Sequence, residues 1–137
     1  MSSAALELQK AVFSALQASS ALAAALGGTA RIHDHAPASV AFPYLTFGRL
    51  ETGDWSTATE EGGEHVFTIH AWSKARGKAQ VLAIMQAARG VLHDAALNLD
   101  GHHLVNLRLE FEDVRFDDDI AVYHGLMRFR AVTEPDD

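Results

Sequence analysis

The sequence contains no cysteine among its 137 residues, and it has only three prolines and an aromatic fraction of 8%. Without cysteine, disulfide bonds, thiolate zinc sites and cysteine nucleophiles are all excluded. Long hydrophobic runs are scarce as well, since the longest weakly polar stretch, residues 11–28, is interrupted by Ser14, Gln17, Ser19 and Ser20. This stretch fits neither a signal peptide nor a membrane span, so we expect a soluble protein that is made in the cytoplasm and has no membrane partner.

Basic residues are a minority, with 11 Lys and Arg against 18 Asp and Glu and a formal net charge of −7. This balance argues against a protein that grips the phosphate backbone of a nucleic acid. The apolar fraction of 48% and the charged fraction of 21% are ordinary for a globular chain. We therefore expect one domain over residues 1–137, with a polar C-terminal tail at residues 134–137.

Two main helices are predicted from apolar side chains at helical spacing. The first follows Ser2 and Ser3 as possible N-caps and places Leu8, Val12, Ala15 and Leu16 on one stripe. The second follows Ser73 as a possible cap and runs to about His93. Its stripe consists of Val81, Ile84, Met85, Ala88 and Leu92.

A short helix is predicted at residues 21–26, where Ser20 is placed to act as the cap. Gly27 and Gly28 then end it, because glycine adopts the left-handed conformation without a steric penalty.

Alternating apolar and polar residues predict four strands, at residues 44–51, 64–72, 105–112 and 121–133. Residues 52–63 have no apolar period and predict a long loop. The fold class is therefore α+β, with a single mostly antiparallel sheet of about four strands packed against two main helices. If the last two strands form a hairpin, Arg128 and Arg130 lie across from Glu110 and Glu112, in charge pairs of roughly a few tenths of a kcal/mol each.

The eight histidines raise the question of a metal site, because His33 and His35 share one face of an extended segment. No supporting ligand set accompanies them, so we predict neither a metal nor another cofactor. Serine-hydrolase and phosphate-loop motifs are also missing from the sequence. We predict no catalytic residue and no enzyme activity. The alternatives are a dimerisation module, or a small cytosolic ligand-binding or metal-binding domain or enzyme that uses His33, His35, His70 and nearby acids.

Three basic residues, Lys74, Arg76 and Lys78, cluster where the second long helix is predicted to begin. The helix dipole disfavours cations there, so they are candidates for contact with an acidic partner. The competing interpretation is an ordinary exposed first turn.

Short motifs along most of the chain resemble one family in their joint order. They are Arg31-Ile32 with Asp34, Phe42-Pro43-Tyr44-Leu45-Thr46, Asp54-Trp55-Ser56-Thr57, Gly63-Glu64-His65, His70-Ala71-Trp72-Ser73, Leu92-His93-Asp94 and Arg128-Phe129-Arg130-Ala131-Val132-Thr133-Glu134. In these features the chain resembles the tail-completion or tail-terminator proteins of long-tailed phages, in particular the branch carried by bacterial gene transfer agents.

The resemblance implies a small α+β protein that forms a ring, usually a hexamer, at the head-proximal end of a phage-like tail. Such a ring stops growth of the tail-tube protein and docks the tube to the head connector. DNA passes through it without sequence-specific binding. Six copies at −7 each repel the DNA backbone if their acids face inward. The family carries no catalytic residues that could be transferred to this sequence.

Physical arguments then select the candidate contact residues. Trp55, next to Asp54 on a glycine-rich loop, is a candidate anchor for the tube or connector, and its alternative is to fold back onto its own sheet. For the contact between neighbours in the ring, the candidates are Lys74, Arg76, Glu110, Glu112, Arg128 and Arg130, because opposite charges on different faces suit a head-to-tail interface. Intramolecular pairing is the competing account of the last four.

Overall fold

The computed structural model describes residues 3–136. The predictions for Ser2 and for residue 137 lie outside these residues. In chain order the elements are α1 (Ala4–Gln17), α2 (Ser20–Ala25), β1 (Ile32–His33), β2 (Tyr44–Asp54), β3 (Gly63–Ser73), α3 (Ala79–Leu92), β4 (His102–Asp117) and β5 (Val122–Pro135). The α+β class and the two long helices are confirmed, and the sheet has a fifth strand, β1.

Serine side chains cap the two N-terminal helices. The Ser3 hydroxyl accepts a hydrogen bond from Leu6 N at 3.1 Å, and the Ser19 hydroxyl accepts one from Leu22 N at 3.1 Å. Ser20 was the wrong choice of cap, since it is the first helical residue of α2. Beyond α2, Gly27 and Gly28 have φ values of 91° and 110°, so the predicted glycine stop is confirmed.

Ser73 does not cap α3, and that prediction was wrong. It is the last residue of β3, and its hydroxyl donates to Gln80 Oε1 at 2.6 Å while accepting from Ala75 N at 3.2 Å. The helix begins later, at Ala79, after Lys78, which makes no side-chain capping bond. Ser73 therefore ties the end of the strand to the first turn of the helix.

The sheet has the strand order β1-β2-β3-β5-β4, with β1 parallel to β2 and all other neighbours antiparallel. The strands extend beyond their predicted bounds, so the loop between β2 and β3 shrinks to residues 55–62. The predicted polar tail is corrected too, because Glu134 and Pro135 belong to β5.

Helices α1 and α3 pack on one face of the sheet, and apolar side chains of both join one buried cluster with alternate residues of β3. Phe67, Ile69 and Ala71 of β3 are buried there, whereas the residues between them are half-buried on the opposite face. A fully buried Leu or Phe contributes about 1.5–3 kcal/mol through its removal from water. The face turned away from the helices is called the open face below.

Bulges interrupt the ladders of β2 and β4. The register of β2 shifts between Phe47 and Leu50, and that of β4 shifts between Leu104 and Asn106 and again between Leu109 and Phe111. A bulge changes which residues stand opposite each other across the ladder. No helix formed by residues 3–136 is both long enough and apolar enough to cross a membrane.

Candidate functional site

Trp55 lies at the base of the hairpin loop between β2 and β3. Its backbone N donates to Gly62 O at 2.9 Å, which closes the loop. The residue is 52% exposed, yet the Arg130 guanidinium lies 4.8 Å from the centroid of its ring, within cation–π range. Trp55 thus rests against its own sheet on one side and presents its other side to solvent.

Asp54 precedes this loop and fixes its first turn, since its Oδ1 accepts from Ser56 N at 3.0 Å. Hydrogen bonding by Ser56 lowers the pKa of the Asp54 carboxyl below its usual value. The carboxylate therefore stays ionised as part of a stable turn beside Trp55.

The cross-strand charge pairs expected from Arg128 and Arg130 do not form. The bulge at Leu109 and Phe111 sets Arg128 opposite Phe111 and Arg130 opposite Arg108. The Arg128 guanidinium lies 4.8 Å from the Phe111 ring centroid. Sequence alternation cannot show a bulge, and this one displaces the predicted partners by a residue.

Arg130 instead pairs with Glu64 of β3, whose Oε2 lies 2.5 Å from Arg130 Nε. Both side chains are only partly exposed, at 25% and 33%. The two carboxylates predicted to pair with arginines, Glu110 and Glu112, are exposed on the edge strand. Within residues 3–136 neither of them makes a hydrogen bond or ion pair, so both are open to an external cation.

The basic candidates lie in the exposed connection between β3 and α3. Lys74 Nζ lies 4.4 Å from the ring centroid of Phe42, which orients it towards the start of β2. Arg76 is exposed, and no acidic side chain among the described residues pairs with it. Because α3 begins at Ala79, Lys74 and Arg76 precede the helix and do not occupy its first turn.

A cluster of aromatic side chains lies on the open face and was not predicted from the sequence. The Trp72 indole and the His124 imidazole stack with centroids 4.1 Å apart and an angle of 3° between planes. His70 Nδ1 lies 2.6 Å from His124 Nε2, and Trp72 Nε1 donates to Thr46 Oγ1 at 3.0 Å. Burial lowers the pKa of both histidines. The alternation of β3 put His70 and Trp72 on one face, but it could not identify His124, 54 residues later, as their neighbour.

His65 is a second buried histidine, on the helix side of β3. Its Nδ1 lies 3.0 Å from Thr52 Oγ1 and its Nε2 lies 2.9 Å from Thr133 Oγ1, so both ring nitrogens have partners. Burial, and then the nearby His102, lower the pKa of His65. The arrangement is that of a neutral structural histidine.

Potential metal ligands do not cluster in the part of the chain that the structure describes. No group of three or more His, Asp or Glu side chains in residues 3–136 is placed to hold a metal ion. His33 contacts Tyr44 edge-on with ring centroids 6.1 Å apart, while His35 is exposed. A cleft between α1 and β2 holds about 10 Å³, the room of about one water molecule.

Exposed large apolar residues are concentrated at the lateral strands of the sheet. Leu50 and Trp55 lie on or beside β2, and the others lie on β4 or in its turn, namely Val105, Phe111, Phe116 and Ile120. Only Leu6 and Leu82 of this group in residues 3–136 lie on helices. Such a distribution marks the two edges of the sheet as the candidate contact surfaces.

Two comparisons with known proteins identify relatives of this chain. A solved structure described as "Virion of native gene transfer agent (GTA) particle" contains a chain that is 32% identical, with a TM-score of 0.86. The alignment covers 97% of this chain and 99% of that one. A comparison with curated proteins gave no match. The family model described as "Tail completion protein gp17" matches residues 10–134. The chain therefore belongs to the tail completion protein gp17 family.

Proposed function

We propose that this protein is a structural component of a phage-like particle, built as a single non-catalytic domain. It forms a ring, six copies in the expected case, that ends the tail tube and joins it to the head connector. The observation that carries the proposal is the similarity, over nearly the full length of both chains, to a chain of a gene transfer agent virion.

The surface chemistry supports assembly. Apolar side chains exposed at the two sheet edges lose contact with water when a partner covers them. Unpaired Glu110 and Glu112 at one edge, and Arg76 at one end of the sheet, are available for charge pairing with another protein. Such charges set orientation and partner choice more than affinity.

The net charge suits a channel for DNA. Each copy carries −7, so a ring surrounds passing DNA with like charge and lowers non-specific binding. Three of the acidic residues, Asp117, Asp118 and Asp119, lie together at the turn between β4 and β5. After its synthesis in the cytoplasm, the protein is incorporated into the particle at the head-proximal end of the tail.

Light scattering across a concentration series tests this function, first with the protein alone and then with its tail-tube protein. A six-copy mass, alone or on the tube, is the expected result. A chain that stays monomeric in both cases and retains a stoichiometric metal after chelation contradicts the proposal. That outcome would favour the alternative of a small metal-binding domain or enzyme that uses the histidines.

A further inference from the structure

Each lateral edge of the sheet has one stretch of backbone without a partner in the described chain. On β2, strand β1 pairs only with Leu45 and Thr46, which leaves residues 50–54 uncovered. On β4, the loop after α3 covers the early part, because Asp94 N donates to Leu107 O at 2.8 Å and Leu109 N donates to His93 Nδ1 at 3.0 Å. Residues 112–116 lie beyond that cover. We call these stretches the β2 edge segment and the β4 edge segment.

The register shows which backbone groups point outward. Successive residues of an antiparallel strand direct their N–H and C=O groups alternately to the two sides. Leu45 directs its N–H outward to Arg31 O, and the alternation continued through the bulge makes Leu50, Thr52 and Asp54 point outward too. On β4, Leu107 and Leu109 point outward, and the same alternation gives the outward residues Glu112, Val114 and Phe116.

We propose that the β4 edge segment of one copy pairs antiparallel with the β2 edge segment of the next copy. This inference rests on the proposed ring function and names its contact. β2 and β4 run in opposite directions within one sheet, so copies with the same orientation present antiparallel strands to each other. Unlike edges that meet head to tail can close into a ring. Addition of a strand to an exposed edge supplies backbone hydrogen bonds, and side chains then set the register.

One register matches side chains as well as backbone. Placing Phe116 opposite Leu50 sets Arg115 of the same copy opposite Glu51 of the next. Phe116 and Leu50 lie on the helix side and are 45% and 38% exposed in the free chain. Arg115 and Glu51 lie on the open face, where their present partners are the exposed neighbours Asp113 and Arg49. Exposed pairs of that kind hold weakly, so both charges are free to exchange partners.

The proposed register has two further consequences, one for the salt dependence of assembly and one for the inclination of the strands. The same register places Glu112 opposite Asp54, a like-charge pair that adds to the repulsion between copies of charge −7. Assembly should therefore strengthen as salt screens these charges. The free segments also lie at opposite ends of the sheet, so their pairing inclines the strands to the ring axis, as in closed barrels.

Self-pairing of two β4 edge segments is the competing arrangement. With the two-fold axis at residue 115, it places Arg115 of each copy against Arg115 of the other, a like-charge pair. It also closes a dimer and leaves Leu50 of both copies exposed. The head-to-tail arrangement instead uses both edges. It sets Phe116 against Leu50 and Arg115 against Glu51, which favours it.

The absence of native cysteine makes disulfide cross-linking a direct test. In the proposed register residues 51 and 115 form a non-hydrogen-bonded pair, whose Cα atoms are about 4.5 Å apart, within reach of a disulfide. The experiment mixes the single variants Glu51→Cys and Arg115→Cys with the tail-tube protein present and oxidises them mildly. Leu82→Cys, exposed on α3, is the matched control for random collision.

The expected result is a linked pair only in the mixture, with no link from either variant alone or from the control. The double variant should link into multimers that end at the size of the ring. Linking of Arg115→Cys to itself overturns the proposal in favour of the symmetric dimer. No link while light scattering still detects rings overturns the edge contact and leaves the proposed function standing. Absence of both links and rings overturns the two together.

Discussion

His70 and His124 meet on the open face of the sheet with Nδ1 of the first 2.6 Å from Nε2 of the second. One ring must donate a proton to the other, so at least one of them is neutral in this arrangement. The Trp72 indole stacks on both rings, with centroids 4.1 Å from His124 and 5.9 Å from His70. This contact ties β3 to β5 on the side that the helices do not cover.

Stability should fall as the pH falls below about 6.5. Burial lowers the pKa of His65, His70 and His124 from the ordinary value of 6.5. Below that value the unfolded chain binds more protons than the folded one, so the free energy of unfolding decreases until the folded pKa values are passed. Urea unfolding between pH 7.5 and 5.0 measures the slope.

The variant His124→Gln should flatten this pH dependence, because it removes one titrating ring from the pair. His35→Asn, at an exposed position, is the control and should keep the wild-type slope. Equal slopes for all three proteins would show that the buried pair does not govern the effect.

Gly48→Ala should destabilise the protein by about 1–3 kcal/mol, the usual cost of overpacking. A Cβ at Gly48 would collide with the His70 ring. At Gly53 of the same strand a Cβ meets no atom within 4 Å. Gly53→Ala is thus the matched control, and thermal unfolding should separate the two. Similar melting temperatures would mean that the ring of His70 moves aside freely.

The ion pair between Arg130 and Glu64 should show a coupling energy of up to about 1 kcal/mol, since both groups are partly exposed. A double-mutant cycle with Arg130→Gln and Glu64→Gln measures it. The Arg130 change should also alter the fluorescence of Trp55, whose ring the guanidinium covers. A coupling near zero would indicate that the pair is no more than a surface contact.

Arg76→Glu should weaken self-association about tenfold, or about 1.4 kcal/mol, if the connection between β3 and α3 faces an acidic neighbour. Arg89→Glu, also an exposed arginine but in the last turn of α3, is the control with the same change of charge. Sedimentation equilibrium of both variants decides between a specific contact and a general effect of net charge. Equal weakening by the two changes would favour net charge.

The spacing of apolar residues predicted most of the helices and strands, because these elements depend mainly on residues close together in the sequence. The stripes of α1 and α3 and the alternation of β3 gave the correct elements and buried faces. Strand β1 has two residues, too few for any period, and it exists because Arg31 O accepts the Leu45 N–H. Its pairing depends on chain segments far apart in sequence, which a local pattern does not contain.

The candidate site was harder to predict because bulges and distant pairs shape it. Arg130 was matched with Glu112 or Glu110 on the assumption of a regular hairpin, and the bulge at Leu109 and Phe111 gave it Glu64 instead. Trp55 was correctly placed on the loop between β2 and β3, but its contact with Arg130 joins residues far apart in the sequence, which a local pattern does not show. Contacts between copies remain predictions, because one chain carries both edge segments without the neighbouring copy that pairs with them.

Electron microscopy of tail tubes assembled with and without this protein tests the proposed terminator function directly. We predict that the protein appears as a ring at one end of each tube and that tubes capped in this way stop growing. Protein bound along the sides of the tubes, or tubes that keep growing past the bound protein, would contradict it.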